Sequence, residues 1–218
     1  MTGQATMLPA TRKNYAVGAR SESGFTLIEA LIAGVILAIG VLGVVSLLSM
    51  SKVSQHESIQ RVRAVSLADD ILERIRRNPN GMAVYDTGLA SPLGGESLGV
   101  NAPDPDCNAS ACTTQELATL DLWAWERLLD GASTTVTDDE GEVSSTSRMR
   151  NVRACIDFTA DSLKANTGMV DIVLQWQGLN KSKDAVAAGG VVCGDDSDAG
   201  SIRRQLIVSS YVIDEKEL

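Results

Sequence analysis

The chain is short of the residues on which most site chemistry depends. It has one histidine, His56, so a zinc centre cannot draw its imidazoles from this sequence. A Ser-His-Asp triad would have to use that same residue, which lies just beyond a long apolar run, and hydrolase chemistry is not expected. The four cysteines, Cys107, Cys112, Cys155 and Cys193, contain no C-x-x-C pair, which argues against zinc and thioredoxin-type redox sites. Basic charge is scarce too: 19 Lys and Arg face 28 Asp and Glu, a net charge of −9 that suits a phosphate backbone poorly. No nucleic-acid partner is expected. Gly94-Gly95 and Gly189-Gly190 lack the spacing of a P-loop or a dinucleotide fingerprint. Asp195-Asp196-Ser197-Asp198-Ala199-Gly200 lacks the spacing and terminal Glu of a calcium loop, so it reads as a solvated acidic loop, as does Asp138-Asp139-Glu140. No metal, no cofactor and no enzymatic activity are expected. After residue 78 the chain is rich in Gly, Ser, Thr and Asp and poor in aromatics, which suggests turns and loops rather than a dense helical bundle.

What is present is concentrated near the N-terminus. Residues 1–24 are polar and carry Arg12, Lys13 and Arg20. Residues 25–50 are apolar, and no charge occurs from Ala30 to Leu48. As a helix that uncharged stretch spans roughly 28 Å, about one bilayer core. It is longer than a secretory h-region and no A-x-A site follows it, so the segment is expected to be retained as an anchor. Basic residues on either side (Arg12, Lys13 and Arg20 before, Lys52, Arg61 and Arg63 after) leave orientation undecided by charge. In an exported domain the cysteines would be expected to form two disulfides; in a reducing compartment they would be buried thiols.

One acid interrupts the apolar pattern. Glu29 follows Phe25 by one helical turn, where a carboxylate is costly unless the helix dipole or a partner compensates it. The string Ser23-Gly24-Phe25-Thr26-Leu27-Ile28-Glu29, after a basic leader and before an apolar helix, resembles the type IV prepilin signal. The resemblance implies cleavage between Gly24 and Phe25 by an inner-membrane prepilin peptidase and N-methylation of Phe25. It also implies that Glu29 pairs with the terminal amine of a neighbouring subunit during assembly, a buried pair that would act mainly as a register device. Two departures stand out. The leader is long, which leaves Met1 or Met7 as the start, and the helix has no proline, so Gly34, Gly40 and Gly43 are left to loosen it or to allow close packing.

The helical pattern continues past the membrane. Val62, Val65, Ala68, Leu72 and Ile75 recur at three- and four-residue steps, with acid-to-base pairs Glu57/Arg61, Asp70/Arg74 and Glu73/Arg77 on other faces. Asn78-Pro79-Asn80-Gly81 is a stop. One helix is expected over 25–78, with a transmembrane part at 25–50 and an amphipathic part at 51–78. Residues 79–112 read as a long loop with a short turn or strand near Met82–Tyr85. Such a loop must be tied down or functional. A capping box, Thr113 with Glu116, starts a second helix that Gly131 stops; its expected stripe is Leu117, Leu120, Ala124 and Leu128, flanked by Trp123 and Trp125 as core residues. Strands are expected at Thr134–Thr137, Met149–Phe158, Met169–Gln177 and Arg203–Ile213, with a hairpin turn at Glu140-Gly141. The third alternates, with Val170, Ile172, Leu174 and Trp176 on one face. Long helix, loop and antiparallel sheet make an α+β fold, with residues 79–218 as the globular domain.

Further along, Arg77-Asn78-Pro79, Cys107 and Cys112 before Thr-Thr-Gln-Glu-Leu-Ala, Asp121-Leu122-Trp123-Ala124-Trp125 and the strand at 172–176 together resemble the PilV-type minor pilins of type IV pili. That resemblance implies a pilin-like fold and a low-abundance subunit that helps initiate pilus assembly with other minor pilins, supports twitching motility and attachment, and contacts the major pilin through its N-terminal helix. It implies a start in the bacterial inner membrane with the C-terminal domain in the periplasm, engagement with the assembly platform, and later a place in the pilus. A type II secretion pseudopilin shares the N-terminal logic, and a tip-exposed adhesin is a further alternative. Four cysteines allow three pairings; Cys107–Cys112 and Cys155–Cys193 are the expected ones, with reduced thiols as the alternative.

Overall fold

The computed structural model describes residues 24–107, 109–132, 135–137, 143–145, 149–186, 190–195, 200 and 202–218. Of the sequence expectations, the leader before Gly24, Thr134, the Glu140-Gly141 turn and most of the acidic stretch 195–200 lie outside the described residues. The chain divides into two compact units, Met1–Leu48 and Ser49–Leu218.

Helix α1, Leu27–Arg77, runs through both units without interruption. In the first unit Thr26 caps it: the Glu29 backbone N–H donates to Thr26 Oγ1 at 3.3 Å. Gly34, Gly40 and Gly43 sit in this unbroken helix, and a Cβ on any of them would meet nothing within 4 Å. Every large apolar side chain from Phe25 to Met50 is more than half exposed. By length and composition this is a helix able to cross a membrane, with a mean hydropathy of 2.8 over its most apolar window.

The second unit holds all the buried apolar side chains among the described residues. Its part of α1 buries Gln60, Ala64, Ala68, Ile71, Leu72 and Ile75. The expected stripe is therefore rotated at its start: Val62 and Val65 face out, at 69% and 40% exposure, and Ala64 takes the inner face. Both stripes are equally periodic; the fully buried one carries the small side chains that let a helix lie close to its neighbours. The charged faces also rearrange. Arg74 Nε donates to Asp70 at 3.0 Å as the spacing predicts, but Glu57 pairs with the distant Arg204 (2.9 Å) and Glu73 with Arg76 (2.7 Å).

After α1 a 3-10 turn, Pro79–Gly81, leads into a one-turn helix α2, Met82–Tyr85, where the sequence suggested a turn or strand. Gly81 is required here by space: a Cβ would sit 2.9 Å from both Ala118 Cβ and the Thr114 carbonyl oxygen. Helix α3, Thr114–Leu129, has the complete capping box of Thr113 and Glu116 and ends at Gly131, whose φ is 73°. It buries Ala118, Leu122, Trp125, Glu126 and Leu129, not the expected stripe of Leu117, Leu120, Ala124 and Leu128. Trp125 sets that rotation. It is fully buried and its Nε1–H donates to the Leu67 carbonyl of α1 at 2.8 Å, while Trp123 stays near the surface and donates to the Gly99 carbonyl.

Among the described residues five strands follow, where four were expected. β1, Thr135–Thr137, and β2, Val143–Ser145, form a separate antiparallel pair. β3, Arg150–Ala160, β4, Gly168–Gln177, and β5, Arg203–Val212, form an antiparallel sheet in the order β3-β4-β5. On β4, Val170, Ile172, Leu174 and Trp176 all enter the core, as their alternation predicts. The opposite face is covered as well, for Val173 packs with Cys155 and Cys193 in a second, smaller cluster. The fold is α+β and pilin-like: a long N-terminal apolar helix with a small three-stranded antiparallel sheet.

Candidate functional site

The first candidate site is the head of α1. Gly24 and Phe25 precede the helix, and Glu29 lies in its first turn, exposed like its neighbours. Phe25 is 73% exposed. A Cβ built on Gly24 would meet nothing within 4 Å, so intrachain packing does not require glycine at this position. No acid or base occurs between Glu29 and Lys52. In hydrocarbon this leaves Glu29 as the only ionisable side chain of the segment, and a carboxyl there is costly without a partner.

The second is the long connection between α2 and α3, which is tightly organised. Its first part runs beside β3. The Leu93 N–H donates to the Ala154 carbonyl (2.8 Å) and the Ala154 N–H returns a bond to Leu93 (2.9 Å), while the Gly88 N–H donates to the Ile156 carbonyl. These bonds occupy the outer edge of β3, which would otherwise be open to pairing. Gly94 crosses Val152 so closely that a Cβ would lie 2.5 Å from its carbonyl oxygen, at a φ of 120°. The loop then meets two carboxylates on α3. Glu126, 1% exposed, accepts from the backbone N–H groups of Gly94, Ser97 and Leu98, each at 2.8 Å, and from the Ser97 hydroxyl at 2.5 Å. Asp130 accepts from the Gly95 and Glu96 N–H groups at 2.8 and 2.9 Å. A buried carboxylate is tolerable when its lone pairs are filled this way.

A polar cluster joins the ends of α1, α2 and α3. Asp121 accepts from Arg74 Nη1 at 2.9 Å and from the Tyr85 hydroxyl at 2.6 Å. Asn78 Nδ2 donates to the Thr114 carbonyl and to the Tyr85 hydroxyl. Burial, followed by the bond to Asp121, pushes the Tyr85 hydroxyl far above the ordinary tyrosine range. Burial disfavours the Arg74 charge, but the bonds to Asp70 and Asp121 outweigh it and raise its pKa. Across the sheet, Arg203 grips Asp184 with two bonds of 2.8 Å, and this pairing holds the Asp184 carboxyl down at about 2. Asp184 also accepts from the Val186 and Gly200 N–H groups, so the link between β4 and β5 is gathered on one side chain.

The cysteines are joined Cys107–Cys112 and Cys155–Cys193. The first closes a short local ring; it is β3 and α3, rather than this bond, that hold the body of the α2–α3 connection. The second ties the middle of β3 to the segment before β5, where the Gly194 N–H also donates to the Leu89 carbonyl. Sequence reasoning assigned no contact to Glu126, Asp130, Asp121, Tyr85, Asp184 or Arg203. An acid on the apolar face of α3, four residues from Leu122 and three from Leu129, was the one available signal. Among the described residues no cluster of His, Cys, Asp and Glu could hold a metal ion.

Two family models match the chain in tandem. The prokaryotic N-terminal methylation motif covers residues 19–45, and the model described as type IV pilin Tt1218 covers residues 49–123. The first spans Gly24, Phe25 and Glu29, and the second runs from the emergent half of α1 through the loop held by Glu126 into α3. No curated protein and no solved structure matches. With the methylation motif, an N-terminal apolar helix, and a match to a pilin model over the rest of that helix and into α3, the chain is similar to the type IV pilins over residues 19–45 and 49–123.

Proposed function

We propose that this chain is a minor subunit of a type IV pilus, of the PilV type, that helps to initiate filament assembly with other minor pilins. The observation that carries the reading is the head of α1. Gly24, Phe25 and Glu29 stand together at the start of an exposed apolar helix, and the fold itself has no need of glycine before it or of an acid within it. In this reading the peptidase cuts between Gly24 and Phe25 and the new terminus on Phe25 is methylated. Glu29 then neutralises the amine of a neighbouring subunit, which removes the cost of an unpaired carboxylate in hydrocarbon and sets the register between subunits. Residues 25–50 serve as membrane anchor and assembly helix, and 51–218 as the domain that reaches the periplasm and then the pilus. The role is structural: binding and assembly, with no reaction of its own.

Mass analysis of the N-terminus of membrane-extracted protein tests the processing step. A chain beginning at methylated Phe25 is expected, and an intact leader refutes it. Glu29→Ala should insert into the membrane normally and fail to enter filaments; normal incorporation would remove Glu29 from the assembly step. Deleting the gene should reduce surface pili and twitching while protein secretion continues. The opposite phenotype would make the chain a subunit of a secretion pseudopilus.

A further inference from the structure

A cavity of about 350 Å³ lies between the emergent part of α1 and the sheet. Ser54, Glu57, Ser58 and Arg61 line it at three- and four-residue steps, so one polar face of α1 forms its helix side. Trp176 of β4 and Arg204 of β5, direct partners across the ladder, line its sheet side.

The Glu57/Arg61 pair that helical spacing favours is not made. Glu57 turns instead to Arg204, whose Nη2 donates to it at 2.9 Å, so these two charges cancel. Arg204 also donates to Ser182 Oγ and to the Asn180 carbonyl, and it lies so close to Gly178 that a Cβ there would come within 3.0 Å of the guanidinium. Arg204 is therefore committed to holding the wall. Arg61 is left exposed, with no ion pair or hydrogen bond among the described residues. Trp176 is 5% exposed, yet its indole N–H donates to no described group. That N–H is not sealed from solvent, for the sealed unpaired side-chain atoms are Gln60 Oε1 and Gln175 Nε2. The hydroxyls of Ser54 and Ser58 are uncommitted as well. A guanidinium, an indole N–H and two hydroxyls can all donate. A wall with these spare donors and one uncancelled cation matches an oxyanion. In a chain of net charge −9 this is a local reversal of sign.

The position along α1 narrows the oxyanion. Ser54 and Arg61 stand four and eleven residues beyond Met50, where the apolar segment ends. That is roughly 6 and 16 Å of helix. A bilayer's headgroup layer extends roughly 5–8 Å past the hydrocarbon. Side chains on a helix lean back toward its N-terminus, here toward that layer. The nearest abundant oxyanion is therefore a phosphate.

We infer that this cavity is a phosphate-binding site, with Arg61 meeting the charge and Ser54, Ser58 and Trp176 donating to the oxygens. The lipid headgroup is the nearer source and free phosphate the other. The lipid source rests on the membrane anchor proposed above; the phosphate chemistry does not. A headgroup held here would fix the depth of α1 and be released when the chain leaves the membrane.

The test uses the full-length chain extracted in mild detergent. Native mass spectrometry measures retention of dioleoylphosphatidylglycerol and of dioleoylglycerol, which has the same tails without the phosphate. The phosphate-bearing lipid should be retained preferentially. Arg61→Gln should weaken its retention roughly tenfold, as loss of one charge-assisted hydrogen bond requires, and leave dioleoylglycerol unchanged. Arg61→Lys should restore most of it, and Lys216→Ala, beside the far end of α1, should change nothing. Arg61 is exposed and unpartnered, so the thermal midpoints of its variants should match the native one. Inorganic phosphate is the second arm. If it raises the midpoint of the native chain but not of Arg61→Gln, while the two lipids are retained equally, the source is free phosphate. Preference for neither phosphate, or a preference indifferent to Arg61→Gln, overturns the inference. Co-flotation with neutral vesicles separates the two readings. A chain that does not float overturns the anchor, whereas one that floats without preferring phosphate in either arm overturns the cavity assignment alone.

Discussion

Replacing Glu126 by alanine should loosen a whole loop through one side chain. Four donors end on this carboxylate, three of them backbone N–H groups of Gly94, Ser97 and Leu98. A hydrogen bond to a charged group contributes about 1.5–3 kcal/mol net, but Ser97 and Leu98 lie at the surface and recover water once released. That recovery removes much of the sum, and the cavity at a fully buried position restores part of it. A net loss of about 3 kcal/mol is expected for Glu126→Ala. Glu126→Gln keeps the oxygen that serves Gly94 and Ser97 but turns an amide donor toward the Leu98 N–H, for a loss of about 1–2 kcal/mol. The body to unfold is Ser49–Leu218, which holds every described core side chain. Urea unfolding gives the difference in stability, and amide exchange at residues 94–98 gives its location. If Glu126→Ala costs less than about 1 kcal/mol, or if those amides exchange no faster, the carboxylate is not what holds the loop.

Asp184 makes a pH-dependent contribution. Its carboxyl is depressed to about 2 from 3.8, so its stabilising effect is complete above pH 3.8 and is lost as pH falls through about 2. The stability gap between the native protein and Asp184→Asn should therefore be constant above pH 4 and close toward pH 2, which denaturant midpoints across that range would show; a gap indifferent to pH would refute it. Tyr85→Phe removes the bond to Asp121 inside the joint of α1, α2 and α3 and should cost about 1.5–3 kcal/mol, measured as a lower urea midpoint with unchanged slope. In the intact protein the Tyr85 phenol should stay protonated above pH 10, followed by its ultraviolet absorbance, because burial and Asp121 both disfavour the phenolate.

The apolar helix at the head of the molecule was legible in the chain. Nineteen apolar side chains between Phe25 and Met50 have no alternative arrangement to compete with a helix, since a membrane helix satisfies its own backbone. The capping box at Thr113 and the alternation of Val170, Ile172, Leu174 and Trp176 were legible for the same reason: each depends only on residues within a few positions of one another. What tertiary structure alone decided were choices between equally periodic faces. α1 could have buried Val62 and Val65, and α3 could have buried Leu117 and Leu128. The sheet instead selected the faces bearing Ala64 and Ala68, and Trp125 with its bond to Leu67 selected the rotation of α3. The roles of Glu126 and Asp184 belong to the same class. Apart from the Val186 N–H, two residues from Asp184, their donors lie 28 to 32 and 16 to 19 residues away in sequence, and only the completed fold brings those groups within reach of one carboxylate.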